Sequence, residues 1–342
     1  MKAAFVKGPS QVEIRTVDKP TIGEGDIMVK MQACGVCGSD LEKIYGQYSQ
    51  LSMRLGHEPS GIVSEVGKNA KNFKKGDRVF VHHHVPCYSC HYCLHGNETM
   101  CKKYSETNLL PCGLAEEFVV PEWNVSHGGV IIIPDSMGFD EAAMIEPLAC
   151  CIRAWNKIHT KPGDSVAIFG TGPTGMMHVM LSQVYGLQDI FCFDINDFRL
   201  EFAKKIGVIE TIKSDDPSAH KKILSKTQNR GVDVAIVATG NLNAITQAIE
   251  FVRKGGIVIL FGVPSRDAKL SLDMSKVYSK EITIVPSYAA SDTDTINAFK
   301  LIRDNKVNVK KLITHKFNLL DSHKALEYAH EGNDSMKIII TS

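Results

Sequence analysis

Residues 165–194 decide the fold, and they read SVAIFGTGPTGMMHVMLSQVYGLQDIFCFD. Ser165–Phe169 is a continuous apolar run of the kind found in a strand that is buried on both faces of a parallel sheet. The glycines that follow, Gly170, Gly172 and Gly175, fit the pattern GxGxxG at the start of a predicted helix. Asp194 ends the next predicted strand. This context, more than the glycines alone, predicts a dinucleotide-binding turn.

The turn has a physical rationale. Its glycines let the backbone approach a pyrophosphate, and Pro173 and Thr174 open a helix whose N-terminal NH groups and dipole attract the anion. The Asp194 carboxylate can accept both ribose hydroxyls and repels a 2′-phosphate, which favours NAD over NADP. Arg199 lies one helical turn onward and softens that preference, so NADP stays open as the alternative.

Outward from this stretch, two kinds of pattern divide the chain. Towards the C-terminus, strands alternate with helices, which predicts a doubly wound α/β domain. Its further strands are predicted at Ile190–Phe193, Val232–Ala238, Ile257–Phe261 and Ile282–Val285, and its helices at Gly175–Tyr185, Phe198–Ile206 and Ala244–Val252. The first third has short β-branched strands bounded by Gly, Pro or Lys-Gly-Asp turns, which predicts a small, partly open barrel. These strands are predicted at Val12–Val17, Asp26–Ala33, Gly61–Val66, Arg78–Val81 and Glu117–Val120. Near the end we expect helices at Asp294–Arg303 and Ser322–His330 and a strand at Lys337–Thr341.

Composition excludes several classes of protein. A chain of 342 residues is long enough for about two domains. The formal net charge of +1 gives no dominant basic face, so we expect no nucleic-acid partner. No apolar run reaches the roughly 18 residues of a membrane helix, and the N-terminus lacks a signal-peptide pattern. We therefore expect a soluble, cytoplasmic protein with no membrane partner.

Four of the ten cysteines lie close together, at Cys87, Cys90, Cys93 and Cys101. Four thiolates at this spacing can close a tetrahedral zinc site and leave no position for substrate. An iron–sulfur cluster is the main alternative, but the bacterial ferredoxin pattern has three residues before its last cysteine, not seven. We expect structural zinc here. The histidines at positions 82, 83, 84, 91 and 95 are expected to be loop or surrounding residues, not ligands.

A second set of potential ligands comes from separated segments. Cys37 lies in GVCGSD, His57 and Glu58 lie in GHEP, and Glu146 lies in EPL. Such sulfur, nitrogen and oxygen donors can hold Zn²⁺ and leave a position for water or substrate. Asp40 is suited to accept the other ring NH of His57. The Ser39 hydroxyl is placed beside Cys37 to take a proton from a substrate alcohol.

With these residues in place, the chain resembles the zinc-containing medium-chain dehydrogenases over nearly its whole length. The resemblance rests on the GxCGSD and GHE segments, the four cysteines, Glu-Pro-Leu, the glycine turn with Asp194, and the FGVP turn that contains Gly262 and Val263. It implies a GroES-like catalytic domain, residues 1–152 and 293–342, with a zinc lobe at 85–103. It also implies an inserted Rossmann domain, residues 153–292, with the dinucleotide on the glycine turn and on Gly262 and Val263.

The resemblance also implies residue roles. Cys37 and His57 would bind the catalytic zinc, and the remaining positions would be shared among Glu58, Glu146 and water. Glu146 before Pro-Leu looks like the polyol, sugar and threonine branches, because simple alcohol dehydrogenases commonly have cysteine there. Many relatives have a proton-relaying histidine where this chain has Glu42, so the relay uses this carboxylate or another route.

The expected reaction is hydride transfer between a secondary alcohol of polyol type and NAD(P), with two zinc ions per chain. L-threonine, an aldose, a sugar-alcohol phosphate or a simple alcohol are alternatives on the same chemistry, and a non-catalytic binding relative is the alternative of another class. We expect substrate in the cleft between the domains, with Tyr45–Arg54 near its entrance. A homotetramer is expected by analogy with polyol and threonine relatives.

Overall fold

A computed structural model describes residues 1–46, 54–208 and 210–342. The described residues contain the strands β1 (Lys2–Gly8), β2 (Gln11–Thr16), β3 (Ile27–Gly35), β4 (Pro59–Val66), β5 (Arg78–Val81), β6 (Glu117–Val120), β7 (Val130–Ile132), β8 (Ser165–Phe169), β9 (Gln188–Asp194), β10 (Glu210–Lys213), β11 (Val232–Val237), β12 (Val252–Leu260), β13 (Thr283–Pro286), β14 (Ile313–Asn318) and β15 (Lys337–Thr341).

The helices in the same ranges are α1 (Gly38–Tyr45), α2 (His91–Leu94), α3 (Lys102–Glu106), α4 (Glu122–Ser126), α5 (Phe139–Ala142), α6 (Ile145–Asn156), α7 (Pro173–Val184), α8 (Asp197–Lys205), α9 (Ala219–Lys226), α10 (Leu242–Phe251), α11 (Met274–Ser279), α12 (Asp292–Arg303) and α13 (Ser322–Glu331). Short 3-10 turns lie at Glu98–Met100, Val309–Leu312 and Leu319–Asp321. Within the described ranges, none of the helices has the length and apolar character needed to cross a membrane.

The chain divides into two compact units, Met1–Ala149 with Ala289–Ser342, and Cys150–Tyr288. The domain limits derived from the sequence, at 152/153 and 292/293, stay a prediction.

The second unit is a parallel sheet in the order β10-β9-β8-β11-β12-β13. Counted from β8, this is the 3-2-1-4-5-6 order of a Rossmann sheet, so the predicted doubly wound domain is confirmed. The strand order reverses between β8 and β11, and the glycine turn follows β8. Phe169 and Phe193 are buried and stack with ring centroids 4.6 Å apart, which joins β8 to β9.

The first unit is mostly antiparallel. Its larger sheet runs β14-β15-β3-β4-β5-β7, and β6 also pairs with β3. Strands β14 and β7 end this path without pairing to each other in the described ranges, which is the partly open barrel expected from the sequence. A separate hairpin, β1 with β2, completes the strands of this unit.

Most predicted elements are present with shifted limits, and one prediction was wrong. Val252 does not end a helix, because it pairs with Val232 and begins β12, which the sequence placed at Ile257–Phe261. Gly255 and Gly256 interrupt the apolar pattern there and hide the first half of the strand. The segment Tyr45–Arg54, predicted to line the cleft entrance, lies largely outside the described residues.

Candidate active site

The four cysteines of the lobe lie together, with every pair of sulfur atoms within 4.8 Å. Cys90 Sγ lies 3.6 Å from Cys93 Sγ, and Cys101 Sγ lies 3.5 Å from Cys87 Sγ, with all four unbridged. Sulfur atoms held tetrahedrally about 2.3 Å from zinc lie about 3.8 Å apart, so the set fits that ion. Hydrogen bonds from Ser89 lower the pKa of Cys87 to about 5, which favours a thiolate.

The second candidate group forms at one end of β3. Cys37 follows β3 and precedes α1, and β4 begins directly after Glu58. Strands β15 and β4 both pair with the end of β3, where Ile339 faces Gly35 and Pro59 faces Cys34. Lys337, the first residue of β15, is therefore brought to the same end. Gly35 is required here, because a Cβ on it would lie 1.8 Å from Glu58 Oε2.

Cys37, His57 and Glu58 present their ligand atoms within 4.8 Å of one another. Ser39 Oγ lies 3.4 Å from both Cys37 Sγ and His57 Nε2. On the other side of the ring, His57 Nδ1 lies 3.3 Å from Asp40 Oδ2. Asp40 is buried and is also held by Lys43, at 3.1 Å. The contact with Asp40 therefore orients the His57 ring so that its Nε2 lies on the same side as Cys37.

The electrostatics of this group favour a cation. Burial opposes ionisation of Asp40, but the charges of His57 and Lys43 outweigh it and hold its pKa well below the usual range. Burial lowers the pKa of His57, yet Asp40 and Cys37 raise it well above its ordinary value. The negative charges of Asp40 and Cys37 therefore stabilise positive charge on the side of the group where His57 lies.

Glu58 is wholly buried, and its Oε2 lies 2.5 Å from Nζ of Lys337, which is also buried. Within the described ranges its Oε1 has no hydrogen-bond partner. Burial raises the pKa of Glu58, against the charge of Lys337, which lowers it. A buried carboxylate oxygen without a partner is costly, and a metal ion on that side would satisfy it. Cys37, His57 and Glu58 therefore fit zinc. Sequence reasoning missed Lys337, whose only signal was a charge at the start of an apolar strand.

Glu146 forms a candidate group with His82 and His83, and its place in the catalytic zinc environment stays a prediction. Its carboxylate lies with His82 and His83, their ligand atoms within 4.8 Å of one another. It still belongs to the same neighbourhood, because its charge raises the pKa of Glu58 and of Lys337. The expectation that His82 and His83 are loop or surrounding residues stays a prediction, but it did not include their approach to Glu146. The signal in the sequence was a run of histidines directly after a strand.

Glu42 is not brought into the metal group. It is exposed, one turn beyond Ser39 on α1, and its carboxylate lies against the Gly46 backbone.

The glycine turn joins β8 to α7. Gly172 caps the helix, and Pro173 and Thr174 form its first turn. Gly175 allows close approach of helix and turn, since a Cβ there would lie 1.9 Å from Gly170 O. The described helix begins two residues before the predicted Gly175. The NH groups in the first turn of α7 are the anion-binding feature expected of a dinucleotide turn.

Asp194 is buried and holds the turn. Its Oδ2 accepts hydrogen bonds from Thr171 N at 2.7 Å and Thr171 Oγ1 at 3.0 Å, and its Oδ1 accepts one from Asn196 N at 2.9 Å. Arg199 Nη1 lies 4.0 Å from the same carboxylate. Asp194 therefore fastens the glycine turn, and its expected contact with the ribose hydroxyls stays a prediction.

Gly262 and Val263 follow β12, in the FGVP turn. The Gly262 NH donates to Val237 O at 2.8 Å, which ties this turn to the end of β11. The Val263 side chain is exposed.

Comparisons with known proteins agree with this geometry. The family model of the alcohol dehydrogenase GroES-like domain matches residues 23–135, and that of the zinc-binding dehydrogenases matches residues 173–304. A sorbitol dehydrogenase of Bacillus subtilis (strain 168) is 31% identical, with 99% of this chain and 97% of the relative covered. An L-idonate 5-dehydrogenase of Vitis vinifera is 28% identical, with 98% and 93% covered.

Among solved structures, zinc-dependent alcohol dehydrogenase 2 from Streptococcus pneumonia is 32% identical, with a TM-score of 0.89 over 100% of this chain and 98% of that one. The sorbitol dehydrogenase and this solved structure cover 99% and 100% of this chain, and so include the candidate metal groups and the glycine turn. The chain belongs to the zinc-containing medium-chain dehydrogenases, and it is an NAD(P)-linked oxidoreductase.

Proposed function

We propose that this chain oxidises a secondary alcohol of the polyol class with NAD as the preferred acceptor. The observation that carries the proposal is the group Cys37, His57 and Glu58, with one cysteine and a buried carboxylate oxygen that has no hydrogen-bond partner among the described residues. The names of the sorbitol and L-idonate dehydrogenases support a polyol or sugar-acid substrate.

Cys37, His57 and Glu58 would hold the catalytic zinc, and Glu146 would add a further carboxylate to its surroundings. Bound zinc would supply Lewis-acid stabilisation of charge on the substrate oxygen, and a bound dinucleotide would supply the acceptor for a hydride. Asp40 orients His57 by accepting its Nδ1 hydrogen, which leaves Nε2 free as a donor of electrons. Lys337 holds Glu58 in place.

Ser39 would take the hydroxyl proton as the carbonyl forms. Its hydroxyl lies 3.4 Å from Cys37 Sγ and from His57 Nε2, at the edge of the metal group. Glu42 is three residues onward on α1, a spacing that places both residues on one face of the helix. Because Glu42 is exposed, it would pass the proton to solvent.

The dinucleotide would lie on the turn formed by Gly170, Gly172, Pro173, Thr174 and Gly175, with Gly262 and Val263 beside it in the cofactor site. A carboxylate at Asp194 favours NAD, and Arg199 at 4.0 Å offsets part of its charge, so NADP is the second candidate. Cys87, Cys90, Cys93 and Cys101 would hold a structural zinc.

A substrate panel tests the proposal. The zinc-loaded protein would be assayed with polyols, sugar-alcohol phosphates, aldoses, L-threonine and simple alcohols, each with NAD and with NADP, by following reduced nicotinamide. We expect the highest kcat/KM for a polyol with NAD. A best substrate among threonine, aldoses or simple alcohols would overturn the substrate class, and no turnover with any of them would favour a non-catalytic binding role.

We also propose a cytoplasmic homotetramer. Strand β13 lies at the edge of its sheet and pairs only with β12 within the described ranges, which supports edge-to-edge association of two copies. Light scattering on the eluting protein would give the mass, and a monomer would contradict the proposal.

A further inference from the structure

His82 and His83 have no role in the proposed dehydrogenase chemistry, and they form a group with Glu146. One ligand atom from each lies within 4.8 Å of the others. His82 is completely buried, and Glu146 is 5% exposed. Two imidazoles and a carboxylate are a donor set that suits zinc and other divalent transition metals.

Asp292 prepares His82 as a ligand. Its Oδ1 lies 2.9 Å from His82 Nδ1, and its Oδ2 accepts a hydrogen bond from Tyr88 OH at 3.0 Å. A carboxylate at this position keeps the hydrogen on Nδ1 and leaves the Nε2 lone pair exposed to a metal, as in many metal sites. His82 Nε2 is buried and has no hydrogen-bond partner among the residues that the structure describes.

The backbone of the two histidines is equally fixed. The buried Asn124 side chain donates to the carbonyls of both His82 and His83, each at 3.0 Å. The His82 NH donates to Gly129 O at 2.7 Å. These hydrogen bonds restrain the backbone that carries the side chains of His82 and His83.

His83 provides the second unsatisfied nitrogen. Its Nδ1 is buried without a hydrogen-bond partner in the described part of the chain. Its ring centroid is 5.1 Å from that of His57, so the two histidines belong to neighbouring groups. Two imidazole nitrogens that are buried without hydrogen-bond partners in the described part of the chain cost free energy, which a bound cation would offset.

We propose that His82, His83 and Glu146 form a second divalent-cation position of the zinc class, adjacent to the Cys37, His57 and Glu58 group. Two neutral imidazoles and one carboxylate leave such an ion with a net charge of +1. The site goes beyond the proposed dehydrogenase activity, which uses neither His82 nor His83.

Cobalt titration of the full-length protein tests the site. Co²⁺ bound by cysteine thiolates gives a charge-transfer band, whereas Co²⁺ bound by His82, His83 and Glu146 would give only ligand-field absorption. We expect His83→Gln to bind one equivalent of Co²⁺ fewer than wild type and to keep the full thiolate band. The matched control is His84→Gln, because His84 Nδ1 contacts the Thr107 carbonyl and the residue is outside the group; it should bind as many equivalents as wild type.

Two results would overturn the proposal. If His83→Gln and the wild type bound the same number of Co²⁺ equivalents, His83 would not be a metal ligand. A lost equivalent that takes thiolate absorption with it would assign His83 to the Cys37 ion.

Two further variants serve as checks. Asp292→Asn tests the site with both histidines in place, and Cys37→Ser separates this test from that of the proposed function. Asp292→Asn retains both histidines and should weaken the extra equivalent by about 10–100-fold, and unchanged affinity would contradict the site. Cys37→Ser should lose part of the thiolate band and keep the extra equivalent. An undiminished band in Cys37→Ser would refute the proposed catalytic site without affecting the count that tests the second one.

Discussion

The two groups that contain cysteine ligands differ in how the chain builds them. The Cys87, Cys90, Cys93 and Cys101 group comes from one short stretch, uses only thiolates and can close its coordination sphere. The Cys37, His57 and Glu58 group is assembled at the end of β3 and mixes three kinds of donor. It is also in contact with the polar side chains of Ser39, Asp40 and Lys337.

This difference separates a fold-stabilising ion from a reactive one. Four thiolates leave no coordination position for substrate, so their ion can only stabilise the lobe. Three mixed donors leave a position open, and the hydroxyl of Ser39 lies at its edge. The comparison predicts that damage to the two groups will appear in different measurements.

The largest effect is expected for Cys37→Ser. Losing the catalytic ion should lower kcat/KM by about 10³-fold or more, because Lewis-acid stabilisation contributes several kcal/mol to the transition state. Cys90→Ser should instead lower the melting temperature and leave the kcat of the folded protein near wild type. Steady-state kinetics, zinc content and thermal unfolding on both variants make the comparison.

Cys112→Ala is the control, since Cys112 is buried and belongs to neither group. If Cys37→Ser kept its activity, or if Cys90→Ser lost activity at an unchanged melting temperature, the division of roles would be wrong.

Lys337→Met should have the next largest effect, on stability. Removing one partner of a buried ion pair leaves the other charge uncompensated and costs about 3–5 kcal/mol. We expect this loss in the metal-free protein, and a smaller one in the zinc-loaded protein, where the ion would neutralise Glu58. Denaturant unfolding with and without zinc measures both values.

The double variant Lys337→Met/Glu58→Gln supplies the control, because it removes both charges and should recover much of the lost stability. An equal loss with and without zinc would argue against Glu58 as a ligand.

How much of the fold and of the candidate site could be predicted depends on how far apart in the sequence the interacting residues lie. The cysteine lobe and the glycine turn are local patterns, and the alternation of strands and helices around Ser165–Phe169 predicted the Rossmann sheet. Cys37, His57 and Glu58 were found because each carries a recognisable segment. Their approach to one another depends on β4 and β15 pairing with β3, which links residues far apart in the chain.

The remainder could not be predicted because it depends on register and burial. Lys337 looked like an ordinary charge before an apolar strand, and only the pairing of β15 with β3 brings it to Glu58. The grouping of His82 with Asp292 joins positions more than two hundred residues apart. Asp194 was expected to face the ribose, but a sequence pattern does not show that it also accepts hydrogen bonds from Thr171.

Glu146→Ala sharpens the boundary between the reactive group and its neighbours. If Glu146 belongs to the catalytic zinc environment, kcat should fall by about 10²-fold, the upper end of what an outer ligand-supporting residue contributes. The alternative is a helix-terminal role for Glu146 in the first turn of α6, worth ~1 kcal/mol of stability and little activity. Near-normal kcat with a lowered melting temperature would remove Glu146 from the reactive group, and unchanged binding of the lobe zinc is the internal control.

The smallest expected effect concerns Asp194, which lies outside both cysteine-containing groups. Its variants test whether the glycine turn selects NAD over NADP. Asp194→Asn removes the charge and keeps a side-chain oxygen that can accept a hydrogen bond from Thr171 N. It should raise kcat/KM for NADP relative to NAD by about tenfold, which corresponds to ~1.4 kcal/mol of lost repulsion against a 2′-phosphate. Asp194→Ala removes the charge and the hydrogen bonds together, so it should weaken the binding of both NAD and NADP as the turn loosens.

Arg199→Ala is the matched control. It should shift the ratio of kcat/KM values towards NAD, because it removes the cation that would meet the 2′-phosphate. A wild type that already prefers NADP, or an unchanged ratio in Asp194→Asn, would make Arg199 the residue that sets cofactor choice.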